Sequence, residues 1–149
     1  MSCDFLSLAL PGVQKLSPYV PGKPVEELAR EFGLNPDEII KLASNENPLG
    51  PAPSVLEAVQ QALPELTRYP DGNGFTLKQA LSERFGFALP MITLGNGSND
   101  ILELIGRAFA MPGTEVVFSQ HAFAVYPIVT QAVGATPAQV PARNWGHDL

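Results

Sequence analysis

Positive charge, cysteine and long apolar runs are scarce in this sequence of 149 residues, and each shortage closes off a class of function. Lys and Arg total 9 against 15 Asp and Glu, for a formal net charge of −6, and the basic side chains never cluster. Without a basic patch there is no electrostatic footprint for nucleic acid or for an anionic lipid surface. One cysteine, Cys3, excludes an internal disulfide and a thiolate set for zinc, reads as a bystander near the terminus, and suits a reducing cytoplasm. No run approaches the roughly 20 apolar residues that a membrane-spanning helix needs. The opening ten residues carry Asp4, lack a basic lead-in and run into Pro11-Gly12, unlike a secretory signal. His121 and His147 stand apart with no second ligand beside them, so they read as loop residues and no metal is expected.

What is present is an apolar share of 45% in a chain of one-domain size; such a domain hides about 70% of its unfolded surface. Four prolines and two glycines between Pro11 and Pro24 predict an extended arm rather than a packed element. A helix is predicted over Val25 to Phe32, ended by Gly33. Asn35-Pro36-Asp37-Glu38 then reads as a cap, a proline at the first helical position and acids at the positive dipole end, opening a single turn. Ile39 to Ala43 is a strand candidate, cut off by Ser44-Asn45-Glu46-Asn47-Pro48. The three- and four-residue spacing of Val55, Leu56, Val59, Ala62 and Leu63 predicts a helix that Pro64 helps to end. After the turn-rich loop Arg68 to Gly74, Leu77, Ala80, Leu81 and Phe85 mark another helix, stopped by Gly86. Met91 to Leu94 reads as a strand feeding the turn Gly95-Asn96-Gly97-Ser98-Asn99-Asp100. The helix that follows carries a stripe of Ile101, Leu104, Ile105, Ala108 and Phe109, expected to lie against a sheet, and Pro112-Gly113 ends it. Then come a strand over Glu115 to Phe118, a helix over Ala122 to Val133 and a weak strand over Thr136 to Val140, interrupted by Pro137. Strands alternating with helices imply an α/β fold with a mostly parallel sheet.

The turn at Gly95 to Asp100 has two readings. Glycines let backbone N–H groups approach an anion, and the helix beginning near Asn99 adds unpaired N–H groups and the positive end of its dipole, so the turn can hold a phosphate. Alternatively it is an ordinary strand-to-helix turn capped by Ser98 or Asn99. A dinucleotide fingerprint fits poorly, because its third glycine is Asp100 here and Glu115 opens a strand where a ribose-binding acid belongs at a strand's end. Phe123 and Tyr126 lie just beyond a strand's carboxyl end, where an aromatic ring can stack on a flat ligand, or else Phe123 is helix core. Tyr69 sits in a Pro- and Gly-rich loop, and its hydroxyl reaches an anion or packs at the surface. Asn45, Glu46 and Asn47 either orient a polar substrate or cap their own turn.

Taken in order, several segments resemble the N-terminal portion of the histidinol-phosphate aminotransferase family, within the class I/II pyridoxal-phosphate-dependent aminotransferases. They are Pro18-Tyr19-Val20-Pro21-Gly22-Lys23-Pro24, Leu42-Ala43-Ser44-Asn45-Glu46-Asn47-Pro48-Leu49-Gly50, Arg68-Tyr69-Pro70-Asp71-Gly72, the turn Gly95 to Asp100, and Phe123-Ala124-Val125-Tyr126-Pro127. The resemblance implies a partial aspartate-aminotransferase-like fold of type I, a truncated, mostly parallel sheet with flanking helices. Residues 1–74 would form the N-terminal arm and part of the small domain, and residues 75–149 the first part of the large cofactor-binding domain. It implies pyridoxal 5'-phosphate as cofactor, with Gly97, Ser98 and Asn99 at its phosphate and Phe123, where the family often has tyrosine, stacked on its ring. Tyr69 would reach the phosphate held by the other subunit of a homodimer. Tyr19 would close over the substrate, and Asn45, Glu46 and Asn47 would line the entrance. The reaction implied is amino transfer between histidinol phosphate and 2-oxoglutarate, with glutamate as the other amine, in histidine biosynthesis. The lysine that anchors the cofactor, the aspartate at its ring nitrogen and the arginine that grips substrate carboxylate would lie beyond Leu149, so the chain alone is expected to be inactive. A non-catalytic phosphate-binding module or regulatory partner of the same fold, and an aminotransferase for another amino acid, are the alternatives.

Overall fold

A computed structural model describes residues 4–148, which leaves the expectations for Cys3 and Leu149 outside the described residues. In chain order the regular elements are helices α1 (Phe5–Leu8), α2 (Pro11–Gln14), α3 (Val25–Phe32), α4 (Pro53–Ala62), α5 (Phe75–Phe85) and α6 (Ser98–Phe109), strand β1 (Glu115–Ser119), helix α7 (Val125–Ala132) and strand β2 (Thr136–Val140). Short 3₁₀ turns interleave at Pro36–Glu38, Leu63–Glu65 and Leu89–Met91. Contacts divide the chain into two compact units, Val20–Ala80 on the one hand and residues 4–19 with 81–148 on the other.

Within Val20–Ala80, α3 follows its sequence signals closely. Glu26 and Glu27 occupy the first turn, Arg30 the last, and Gly33 closes the helix in the left-handed conformation. The Asn35 side chain accepts a hydrogen bond from the Asp37 N–H at 3.2 Å and caps the next turn. The strand expected at Ile39 to Ala43 does not form. A strand exists through its partner, and among the described residues the backbone finds none: Ile40 and Leu42 stay exposed, and Ser44 and Asn45 turn the chain at positive φ. Helix α4 begins with Pro53 in its first turn and tightens into the 3₁₀ turn around Pro64. Its stripe of Val55, Leu56 and Val59 remains about half exposed. Ahead of α5, both carboxylate oxygens of Asp71 accept backbone N–H groups, from Asn73 at 2.9 Å and Phe75 at 2.8 Å.

In the second unit β1 and β2 pair in parallel, with Val117 opposite Ala138 and Phe118 opposite Gln139, and α7 makes the crossover between them. Pro137 does not interrupt β2. An edge strand tolerates a residue without an N–H, and Pro137 holds register opposite Val116. The core gathers Phe118, Val125, Thr130 and Ala135. Thr130, 1% exposed, satisfies its hydroxyl by donating to the Tyr126 carbonyl at 2.7 Å. Helix α6 packs on α7 rather than on the sheet as its stripe suggested, because Gly106 leaves room for Val129.

Three further expectations change here. Pro11 starts a helical turn where an extended arm was predicted, since proline suits the first helical position, and α2 packs on α7. Met91 closes a 3₁₀ turn that starts at Leu89, and residues 92–94 pair with no strand among the described residues. Helix α7 begins at Val125, three residues later than predicted, so Phe123 lies in the turn before the helix.

Candidate functional site

The turn before α6 is shaped by Gly97, whose φ of 85° and ψ of 173° lie in a region that essentially glycine alone occupies. Gly97, not Ser98 or Asn99, is the N-cap residue, and no side chain caps the helix. Its own N–H donates to the Gly95 carbonyl at 2.9 Å. The Asp100 carboxylate folds back to accept the Asn96 N–H at 3.1 Å, which closes the turn from below. Among the described residues no acceptor takes the backbone N–H groups of Ser98 and Asn99, and both residues are exposed. Helix termini leave such donors unpaired by construction, and the helix dipole adds a partial positive charge there.

Beside this turn lies a hollow of about 370 Å³, bounded by Asn99 on α6, by Phe123, by Tyr19 and by the apolar face of α7. Phe123 is 51% exposed, and its ring meets that of Tyr19 at 5.5 Å between centroids, tilted by 58°. Phe123 is therefore not part of the core of α7. Leu10 and Val13 of the arm also line the hollow, as do Glu103 and Arg107. The last two form an exposed ion pair at 2.6 Å. Sequence reading passed over them, although Asn99, Glu103 and Arg107 recur every four residues and so share one face of α6.

Tyr69 and residues 45–47 belong to the other unit and are described within it. Tyr69 is fully exposed. Asn47 caps its own turn, accepting from the Leu49 N–H at 3.1 Å and donating to the Gly50 carbonyl at 3.2 Å. Asn45 holds φ at 49°, and Glu46 pairs with Lys41 at 2.9 Å.

Among the described residues two groups titrate away from their ordinary values. The N–H of Phe75, followed by that of Asn73, holds the Asp71 carboxyl below the usual 3.8. The hydrogen bond to Glu31 raises Lys23 above 10.5, assisted by the charges of Glu31 and Glu27 and opposed by some desolvation.

The donor set fits a phosphate carried by a flat ring. Unpaired amides sit beside a glycine whose Cβ position is open, and an accessible aromatic face lines the same hollow as Asn99. Among the described residues no lysine lines that hollow; Lys15, on the arm two residues after Val13, is exposed and is not part of its lining. Lys23 is engaged by Glu27 and Glu31, Lys41 by Glu46, and Lys78 by the Asn73 side chain at 3.1 Å.

An α/β crossover with a phosphate-type turn is the setting in which the family match falls. The family described as Aminotransferase class I and II matches residues 37–149, and the chain belongs to it. Over all of its 149 residues it is 68% identical to histidinol-phosphate aminotransferase 2 of Pseudomonas fluorescens, and over 146 residues, 98% of the chain, 68% identical to histidinol-phosphate aminotransferase 2 of Pseudomonas aeruginosa. The chain spans 40% of the length of each. Among solved structures, it is similar to histidinol-phosphate aminotransferase from Sinorhizobium meliloti in complex with pyridoxal-5'-phosphate. That match has a TM-score of 0.73 and 32% identity, over 90% of this chain and 35% of that one.

Proposed function

We propose that this chain supplies the phosphate- and ring-binding part of a pyridoxal 5'-phosphate-dependent aminotransferase that moves an amino group between histidinol phosphate and 2-oxoglutarate in histidine biosynthesis. The observation that carries the reading is the pair of unpaired amides at Ser98 and Asn99, with Asn99 lining the same hollow as Phe123. The relatives named above supply the choice of substrate. Pyridoxal 5'-phosphate contributes an electron sink to amino transfer when bound.

Each residue has a role in that reading. Ser98 and Asn99 donate backbone N–H groups to phosphate, and Gly97 keeps their approach unobstructed. Phe123 presents its face to the pyridine ring and, with Tyr19, keeps water from one side of the hollow. Asn45, Glu46 and Asn47 line the substrate entrance, their turn held rigid by the Asn47 cap. Tyr69, a fully exposed residue, reaches the phosphate of the neighbouring subunit in a cytoplasmic homodimer. Residues 75–149 open the large domain, and residues 1–74 form the arm and part of the small domain.

Because no lysine lines the hollow, we propose further that the 149-residue chain binds the cofactor without a covalent link and does not turn over. Titration of the purified chain with pyridoxal 5'-phosphate tests the first part. Saturable binding is expected, and no binding at millimolar ligand overturns it. Incubation with histidinol phosphate and 2-oxoglutarate tests the second. No glutamate is expected, and sustained glutamate formation refutes it.

A further inference from the structure

We infer that Gly12 and Gln131 form a latch that holds the N-terminal arm on α7 and so positions Tyr19 against Phe123. The inference rests on the reading of the hollow as a cofactor site and adds two positioning residues to it. Helix α2 is a single turn, far too short to persist alone in water, so its place depends on what it docks against. It docks through one side-chain hydrogen bond and one close backbone approach. The Gln131 side-chain amide donates to the Gly12 carbonyl at 3.2 Å, across 119 residues of sequence. On the other side of the same contact, a Cβ at residue 12 would collide with the Gln131 carbonyl oxygen and sit 3.3 Å from that of Ala132. Both obstacles are helix backbone, which cannot rotate aside as a side chain can. Glycine is therefore required at position 12 by close approach rather than by its dihedral angles.

From this anchor, Leu10 and Val13 run into the wall of the hollow, and seven residues further on Tyr19 reaches the Phe123 ring. Lys15 to Pro18 carry no regular structure of their own. Tyr19 is thus held by the latch behind it and the ring in front of it. Released from the latch, the tyrosine gains freedom that ring contact alone must repay, and a tilted aromatic pair is worth little more than that.

The test uses the whole chain as wild type, Gly12→Ala and Gln131→Ala, with 3-fluorotyrosine at its three tyrosines and the Tyr19 resonance assigned through Tyr19→Phe. Affinities for pyridoxal 5'-phosphate and for inorganic phosphate are measured on the same samples. In Gly12→Ala the Tyr19 resonance should move towards that of free fluorotyrosine. Pyridoxal 5'-phosphate should bind about 2- to 10-fold more weakly, the worth of one aromatic contact, while inorganic phosphate should bind as before. Gln131→Ala, which loses the bond but keeps the fit, should shift in the same direction by less. An unmoved Tyr19 resonance, or an equal loss for both ligands, overturns the latch. If wild type binds neither ligand, the cofactor reading fails, and the Tyr19 resonance alone still decides the latch. If Gly12→Ala does not fold, Gln131→Ala is judged by the same criteria.

Discussion

Gly97→Ala separates backbone strain from every other effect at the turn before α6. Nothing lies within 4 Å of a Cβ built at this position, so the substitution adds no clash. What it adds is a side chain at φ 85° and ψ 173°, where a non-glycine residue pays about 1–3 kcal/mol. That penalty can emerge in two places. If the turn keeps its shape, the folded state carries the strain, and unfolding by urea shows the loss while ligand affinity holds. If the turn relaxes, stability recovers, and the ligand must rebuild the strained shape, which weakens binding by about 5- to 150-fold for the same energy. The two losses together should come to about 1–3 kcal/mol. Urea unfolding and calorimetric titration with pyridoxal 5'-phosphate give both terms on one sample. Gly113→Ala is the control, since Gly113 also has a positive φ and an open Cβ position but lies beyond the far end of α6. It should cost stability and leave affinity alone. The reasoning fails if Gly97→Ala leaves both stability and affinity at wild-type values, or if Gly113→Ala weakens binding as much.

Phe123→Ala should weaken pyridoxal 5'-phosphate by about 2- to 10-fold and spare inorganic phosphate; equal loss for both ligands would remove the ring from the account. Thr130→Val should cost about 0.5–1.5 kcal/mol in urea unfolding, because a buried hydroxyl loses its bond to the Tyr126 carbonyl; an unchanged midpoint would contradict that. Asp71, whose folded pKa is depressed, stabilises the start of α5 above its unfolded pKa and loses that contribution as pH falls through the folded value. Carboxyl NMR should therefore find its midpoint below 3.8, and the Phe75 amide signal should change over the same acid range; a midpoint at or above 3.8 would refute the cap.

Local signals were legible in the sequence wherever the cause of structure is local. Helix α3 carries its acids, its basic residue and its terminating glycine within nine residues, and β1 is a short, largely apolar run set off by Gly113, with Gly134 marking the approach to the weaker β2. The segments 39–43 and 91–94 were not legible, because a strand is a property of two segments and the apolar run alone does not name its partner. Proline misled in both directions. Pro11 reads as a breaker yet initiates a turn, and Pro137 reads as an interruption yet sits on an edge strand. At the site, the turn Gly95 to Asp100 was visible from its glycines, but the cap residue was displaced to Gly97 because Asp100 turns back to Asn96. Tyr19 and Phe123 are 104 residues apart, and no periodicity could join them. Their pairing had to come from α2 docking on α7.

The central claim is that the amides of Ser98 and Asn99 grip a phosphate. Amide-resolved NMR of the ¹⁵N-labelled chain, titrated with pyridoxal 5'-phosphate and separately with inorganic phosphate, reads those two groups directly. The account predicts saturable downfield shifts of Ser98 and Asn99 with both ligands, and ring-dependent shifts near Phe123 with the first alone. Shifts that leave Ser98 and Asn99 in place while other amides move would contradict it.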